Sequence, residues 1–189
     1  MCSSDLLTRM ISGYSAEAVA TQRVGGQIES ISWNTADGFA AALNAFVAQN
    51  YGAGRNDRVR KGYKASLWTV GIWGLLISAV FIWVPEPIAR IFFHEPAAIA
   101  TAVEYLIIIG FSEAFMCVEL TTVGALSGLG RTRLCSIISI AFTSARIPLA
   151  IILGGIMGLN GIWWALSSTS IVKGIIFTCT FLWITRKRK

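Results

Sequence analysis

The sequence is short of charge. Lys, Arg, Asp and Glu make up 14% of its 189 residues, against about 25% in a typical soluble domain. Hydrophobic types make up 54%, and the mean hydropathy is +0.63. A soluble enzyme and a disordered chain both fit that composition poorly. Histidine is nearly absent: His94 stands alone, which leaves little room for a His-based metal site or a Ser-His-Asp triad. Cys2, Cys117, Cys135 and Cys179 show no metal-ligand spacing. The last three sit in apolar runs, where Cys behaves as a small hydrophobe. No nucleophile–base pair or metal cluster is visible, so no enzymatic activity, metal or organic cofactor is expected.

Residues 1–6, MCSSDL, do not resemble a signal peptide. They read instead as a translated sequencing adapter, so native sequence is expected to start near Leu7 and the chain to be truncated before it. Residues 7–26 hold Arg9, Glu17 and Arg23 among small residues. They are expected to be the remnant of a lost helix followed by an outer loop and the start of the first span.

What is present in quantity is long apolar runs. They cover about 27–49, 64–84, 98–125, 134–157 and 161–184, lengths that suit bilayer-crossing helices. The expected fold class is therefore all-α, a polytopic membrane protein of about five spans. Tyr51-Gly52-Ala53-Gly54, Pro85-Glu86-Pro87 and Gly128-Leu129-Gly130 break the runs. Pro148 falls inside the fourth, where a kink is expected.

The net charge of +6 is mainly a topology signal. Eleven of the sixteen basic residues fall at 55–64, 131–133 and 186–189. These are alternate connections and therefore one side of the membrane. The positive-inside rule makes that side cytoplasmic, with the first span starting outside and the basic tail 186–189 inside. The alternation with apolar runs argues against a nucleic-acid face. The loop at 55–64 would also meet lipid headgroups. Most of the seven tryptophans fall near span ends, as an aromatic belt would; Trp33 and Trp73 lie deeper.

Ionisable residues at bilayer depth cost about 2.5–3.5 kcal/mol each on insertion scales. The spans nevertheless hold Glu29, Asp37, Glu113, Glu119, Arg146 and Lys173. At 100° per residue, Glu29, Ser30, Trp33, Asn34, Asp37 and Asn44 share an arc of about 140° on the first helix. Such a stripe faces a water-filled cavity or a helix bundle. Gly38 and Ala40–Ala42 would let helices approach closely. Glu113 and Glu119 lie about 120° apart on the third span and need not share a face. An enclosed carboxylate can bind and release a proton or attract Na⁺ or a cationic compound. Trp33 could stack on an aromatic cation. The structural alternative is that the charges simply pair, as Asp37–Lys173 and Glu113–Arg146 or crosswise.

Three stretches resemble the multidrug and toxic compound extrusion (MATE) transporters: residues 18–63, GALSGLGRTR at 124–133 and ARIPLAIILG at 145–154. Together they match the C-terminal lobe of that family, which has two six-helix lobes. The resemblance implies the last five helices of a proton- or sodium-coupled efflux antiporter in the plasma membrane. Its partners would be the bilayer, small and often cationic amphipathic compounds, and the missing N-terminal lobe. It also implies a cation-linked acid on the third span, Glu113 or Glu119, with Glu119 preferred because it leads into the matching 124–133 stretch. The ion- or substrate-binding set is then Glu29, Asn34, Asp37, Asn44, Glu113, Glu119, Arg146 and Lys173, with Trp33 for stacking. The first helix of the lobe, which carries a cation-coordinating acid in many members, has no counterpart here. Rival readings are a lipid-linked oligosaccharide flippase of the same superfamily and a non-transporting scaffold subunit. A further, weaker pattern is a Gly-x-Gly-Arg exit shared by NYGAGRNDR at 50–58 and SGLGRTR at 127–133.

Overall fold

The computed structural model describes residue 8 and residues 10–186. The expected adapter 1–6, Cys2, Arg9 and most of the basic tail lie outside the described residues. Among the described residues the main helices are, in order, α1 (Ala16–Gly52), α2 (Asn56–Trp83), α3 (Pro85–Phe92), α4 (Pro96–Gly128), α5 (Thr132–Met157) and α6 (Leu159–Arg186). The fold is an all-α bundle of polytopic membrane type. By length and composition α2, α4, α5 and α6 could each cross a membrane. Five such spans were expected. α1 is long enough, at 37 residues, but its polar stripe lowers its apolarity below theirs.

Residues 16–26 depart from the expected outer loop. They are the first turns of α1. Ser15 caps them, its Oγ accepting from the Ala18 N–H at 3.0 Å, and Glu17 sits in the first turn where the helix dipole favours an acid. Residues 10–12 are helical as well, with a turn at 13–14 before the cap. α3 was also not foreseen, because Pro85 and Pro87 read as breakers. Pro at the first helical position starts a helix instead, and Arg90 pairs with Glu86 one turn away at 2.5 Å. α5 runs through Pro148 without interruption.

The two Gly-x-Gly-Arg exits are the same structure. Gly54 and Gly130 both take positive φ, +72° and +73°, a left-handed conformation that glycine adopts far more readily than other residues. The Arg55 N–H reaches Asn50 O at 2.8 Å, and the Arg131 N–H reaches Leu126 O at 3.0 Å. Each is the six-to-one closure of a Schellman-type end. Both arginines then become the N-cap residue of the next helix. These turns lie at one end of the bundle. There Arg60 donates to the Thr185 carbonyl of α6, and Arg60, Arg131 and Ile184 line one cleft. The first two basic segments and the end of α6 therefore converge in space.

α4 is the axis of the bundle and touches every other helix. Small residues permit this. A Cβ on Gly124 would lie 2.4 Å from the Ala40 carbonyl oxygen of α1, and one on Gly174 of α6 would lie 2.7 Å from the Phe115 carbonyl of α4. Backbones are thus in contact on two sides of α4, the packing expected where lipid supplies no hydrophobic drive. Of the small residues expected on α1, Ala40 makes the approach, whereas Gly38 meets nothing within 4 Å. Toward the basic end, Leu43, Val47, Val59, Leu126, Phe177 and Phe181 form one apolar cluster, with Tyr63 stacked on Phe181 at 3.8 Å. At the other end Tyr105 meets Trp163 edge-on at 5.1 Å. Trp163 is fully buried, so it is a core residue and not part of an aromatic belt. Trp68, Trp83 and Trp183 stay exposed.

Replacing Gly124 by Leu is expected to destabilise the bundle by about 1–3 kcal/mol through backbone displacement. Gly38→Leu is expected to leave it unchanged. Thermal unfolding of both variants in detergent checks the contrast.

Candidate functional site

Two adjoining cavities open beside α4. One, of about 230 Å³, is lined by Gln22, Glu29, Tyr105, Ser112 and Thr143 among others. The other, of about 390 Å³, is lined by Asn34, Asp37, Glu119, Leu120 and Lys173. Trp33, Met116, Arg146 and Ser170 line both. Each helix contributes a stripe at helical spacing. On α1 it is Gln22, Gly26, Glu29, Trp33 and Asp37; on α4, Tyr105, Ile109, Ser112, Met116 and Glu119. α5 adds Thr143 and Arg146, and α6 adds Leu166, Ser170 and Lys173.

The charges do not pair in the combinations of the structural alternative. Lys173 Nζ lies 2.7 Å from Glu119 Oε1, with only 13% and 11% of the two side chains exposed. Asp37 has no ion pair among the described residues and is exposed to its cavity. Neither is Glu113 paired with Arg146. Arg146 donates Nε to Thr169 Oγ1 at 2.9 Å and Nη2 to Ser170 Oγ at 3.2 Å. The physical reason is register. Lys173 and Glu119 both fall on the cavity stripes of their helices, while Glu113 sits one residue past Ser112 and turns off the stripe.

Glu113 therefore lies apart from the cavities, with 0% of its surface exposed. Neither of its oxygens has a hydrogen-bond partner. Ser32 is beside it, yet its hydroxyl pairs with Cys117 Sγ at 3.2 Å. Glu29 is also buried, at 4% exposure, and accepts a hydrogen bond from the Tyr105 hydroxyl. Behind that pair the Trp163 Nε1–H donates to Gln22 Oε1 at 2.9 Å. Two members of the α1 stripe miss the cavities. Ser30 donates to its own helix at Gln27 O, and Asn44 lies at the α4 contact, its carbonyl 2.6 Å from where a Gly128 Cβ would sit.

Reading the sequence by charge missed Tyr105, Met116, Thr143, Thr169 and Ser170. The signal was available in the spacing 105–109–112–116–119, but a mostly apolar helix shows such a stripe only once its neighbours are known.

This combination, apolar helices of membrane length packed around a polar, charge-lined hollow, defines a polytopic helical membrane lobe. The MatE family model matches residues 1–152, and the chain belongs to that family. A probable multidrug resistance protein NorM from Thermotoga maritima is 30% identical over 174 residues, covering 88% of this chain and 37% of the relative. The chain thus spans well under half the length of that relative. Among solved structures, a multidrug resistance MATE family transporter in an outward-facing conformation superposes with a TM-score of 0.88 at 17% identity, over 97% of this chain and 41% of that one. A Vibrio cholerae MATE transporter gives 0.86 at 18% identity, over 99% and 43%. These two structures support the fold.

Removing one member of the Glu119–Lys173 pair leaves a charge unanswered, which in an enclosed site costs about 3–5 kcal/mol and less where a cavity admits water. Lys173→Met alone should therefore lower thermal stability. Adding Glu119→Gln to it should restore most of the loss. A double-mutant cycle by thermal unfolding measures the coupling, expected at about 1–3 kcal/mol.

Proposed function

We propose that this chain is the C-terminal part of a cation-coupled multidrug efflux antiporter in the plasma membrane, and that it does not transport by itself. The coverage of well under half of a family relative supports the fragment reading. Alternating access needs two bundles that rock against each other, and the chain supplies most of one. The convergence of Arg60, Arg131 and the end of α6 supports a cytoplasmic placement for that end, with the C-terminus inside.

The observation that carries the transport reading is the set of charges left unpaired around a hollow. Asp37 faces the larger cavity without an ion-pair partner, and Arg146 faces both cavities bonded only to hydroxyls. A scaffold subunit would be expected to pair its buried charges off. Glu113, enclosed with only the Ser32 hydroxyl beside it, needs a proton or a cation to answer its charge. It is the strongest candidate for the coupling ion, H⁺ or Na⁺, with Glu29 and Tyr105 of the smaller cavity near enough to respond to its charge. Asp37, Asn34 and Trp33 offer a carboxylate, an amide and an aromatic face to a small amphipathic cation. Glu119 acts through its exchangeable partner Lys173.

The test uses the full-length protein in vesicles with an imposed H⁺ or Na⁺ gradient. Asp37→Asn, Glu113→Gln and Glu119→Gln are assayed singly for cation-driven efflux and for protein amount. The expected outcome is a loss of about tenfold or more in coupled efflux for Glu113→Gln at normal protein level, equivalent to about 1.4 kcal/mol or more. The chain alone, reconstituted, is expected to show no cation-driven efflux. Unchanged efflux with reduced protein level in all three variants would leave these acids a purely structural role.

A further inference from the structure

Among the described residues Arg146 is the cavity's positive charge without an ion pair, although Glu119 lines the same cavity and is near enough to act on it. Its two protein partners, Thr169 Oγ1 and Ser170 Oγ, are neutral hydroxyls. A partly buried guanidinium held by neutral acceptors still has donors to satisfy and a charge to answer. The obvious counter-ion, Glu119, is engaged by Lys173 at 2.7 Å. Thr169 and Ser170 hold the Nε and Nη2 side of the guanidinium, and the planar fork suits a carboxylate better than a point charge would. Trp33, 38% exposed, lines the same two cavities as Arg146. It offers an aromatic face for a ring carrying the anionic group. Asp37 and Glu119 share the larger cavity and disfavour a second negative charge on the ligand.

We propose that Arg146 is an anion anchor and that the cavity takes aromatic monocarboxylates, the carboxylate on the guanidinium and the ring on Trp33. The inference rests on the transport reading for its biological meaning. It concerns the ligand's charge, however, and is tested by binding alone. Compounds bearing both a carboxylate and an ammonium group would fit further, with the ammonium toward Asp37. Lys173 joins the site only when Glu119 releases it.

The experiment is equilibrium binding to the purified chain in lipid nanodiscs, with three probes of one shape: 2-naphthoate, its methyl ester and 2-naphthylmethylammonium. The wild-type chain is expected to bind 2-naphthoate about tenfold or more tightly than the ester, the range expected for a hydrogen bond to a charged group. That comparison needs no variant. Arg146→Gln should abolish the preference and Arg146→Lys should keep part of it. Glu119→Gln should leave 2-naphthoate binding equal or tighter, because Lys173 is freed. Equal binding of acid and ester, or tighter binding of the ammonium probe with Arg146→Gln silent, would overturn the proposal. Acid-selective binding by a chain whose full-length form shows no coupled efflux would sustain this site and defeat the transport reading. Coupled efflux without acid selectivity would do the reverse.

Discussion

Backbone contact with α4 is the constraint on which the rest of the structure depends. Where Gly124 meets the Ala40 carbonyl and Gly174 meets the Phe115 carbonyl, neighbouring helices touch without side chains between them. Such contact fixes the rotation of α1 and α6 about their own axes, because turning either helix would bring a side chain into the gap. Rotation in turn decides which residues reach the hollow. With Ala36, Ala40, Leu43 and Val47 buried, Trp33, Asn34 and Asp37 are left facing the cavity. The polar stripe is a consequence of where the small residues lie.

The same constraint sorts the buried charges into two kinds. Glu119, Lys173, Arg146 and Asp37 lie on cavity-facing stripes, where exchange of partners is sterically open. Glu113 lies inside the protein, and Glu29 lies buried at the wall of the smaller cavity. The first has only the Ser32 hydroxyl beside it and the second is held by Tyr105. Low dielectric raises the cost of leaving any of them unanswered. A charge-lined hollow next to enclosed acids is a suitable arrangement for coupling one bound species to another, since both draw on the same field.

Much of this was legible in the residues. Run lengths and breakers located the long helices, charge placement grouped the 55–64 and 131–133 segments that the fold brings to one end with the close of α6, and the Gly-x-Gly-Arg pattern marked two turns with the same hydrogen bonds. The helical wheel of α1 found Glu29, Trp33, Asn34 and Asp37, but it also included Ser30 and Asn44, which only the neighbouring helices could exclude. Ion-pair partners were not legible. The sequence shows that Asp37, Glu113, Arg146 and Lys173 lie within spans, but pairing depends on rotation. Glu113 and Glu119, about 120° apart on one helix, end in different surroundings for that reason. α3 was hidden because Pro85 reads as a stop in isolation and as a start once a helix follows.

The central claim is that α1 is held in one rotation, with Asp37 toward water and Ile31, 64% exposed on the bundle's outer face, toward lipid. The direct measurement is the rate at which a cationic, membrane-impermeant thiol reagent modifies a single cysteine, Asp37→Cys or Ile31→Cys, in a bilayer-embedded chain whose native cysteines are replaced. Modification at 37 is expected to be at least about tenfold faster than at 31, the difference between a water-filled site and hydrocarbon. Equal rates, or faster reaction at 31, would contradict it.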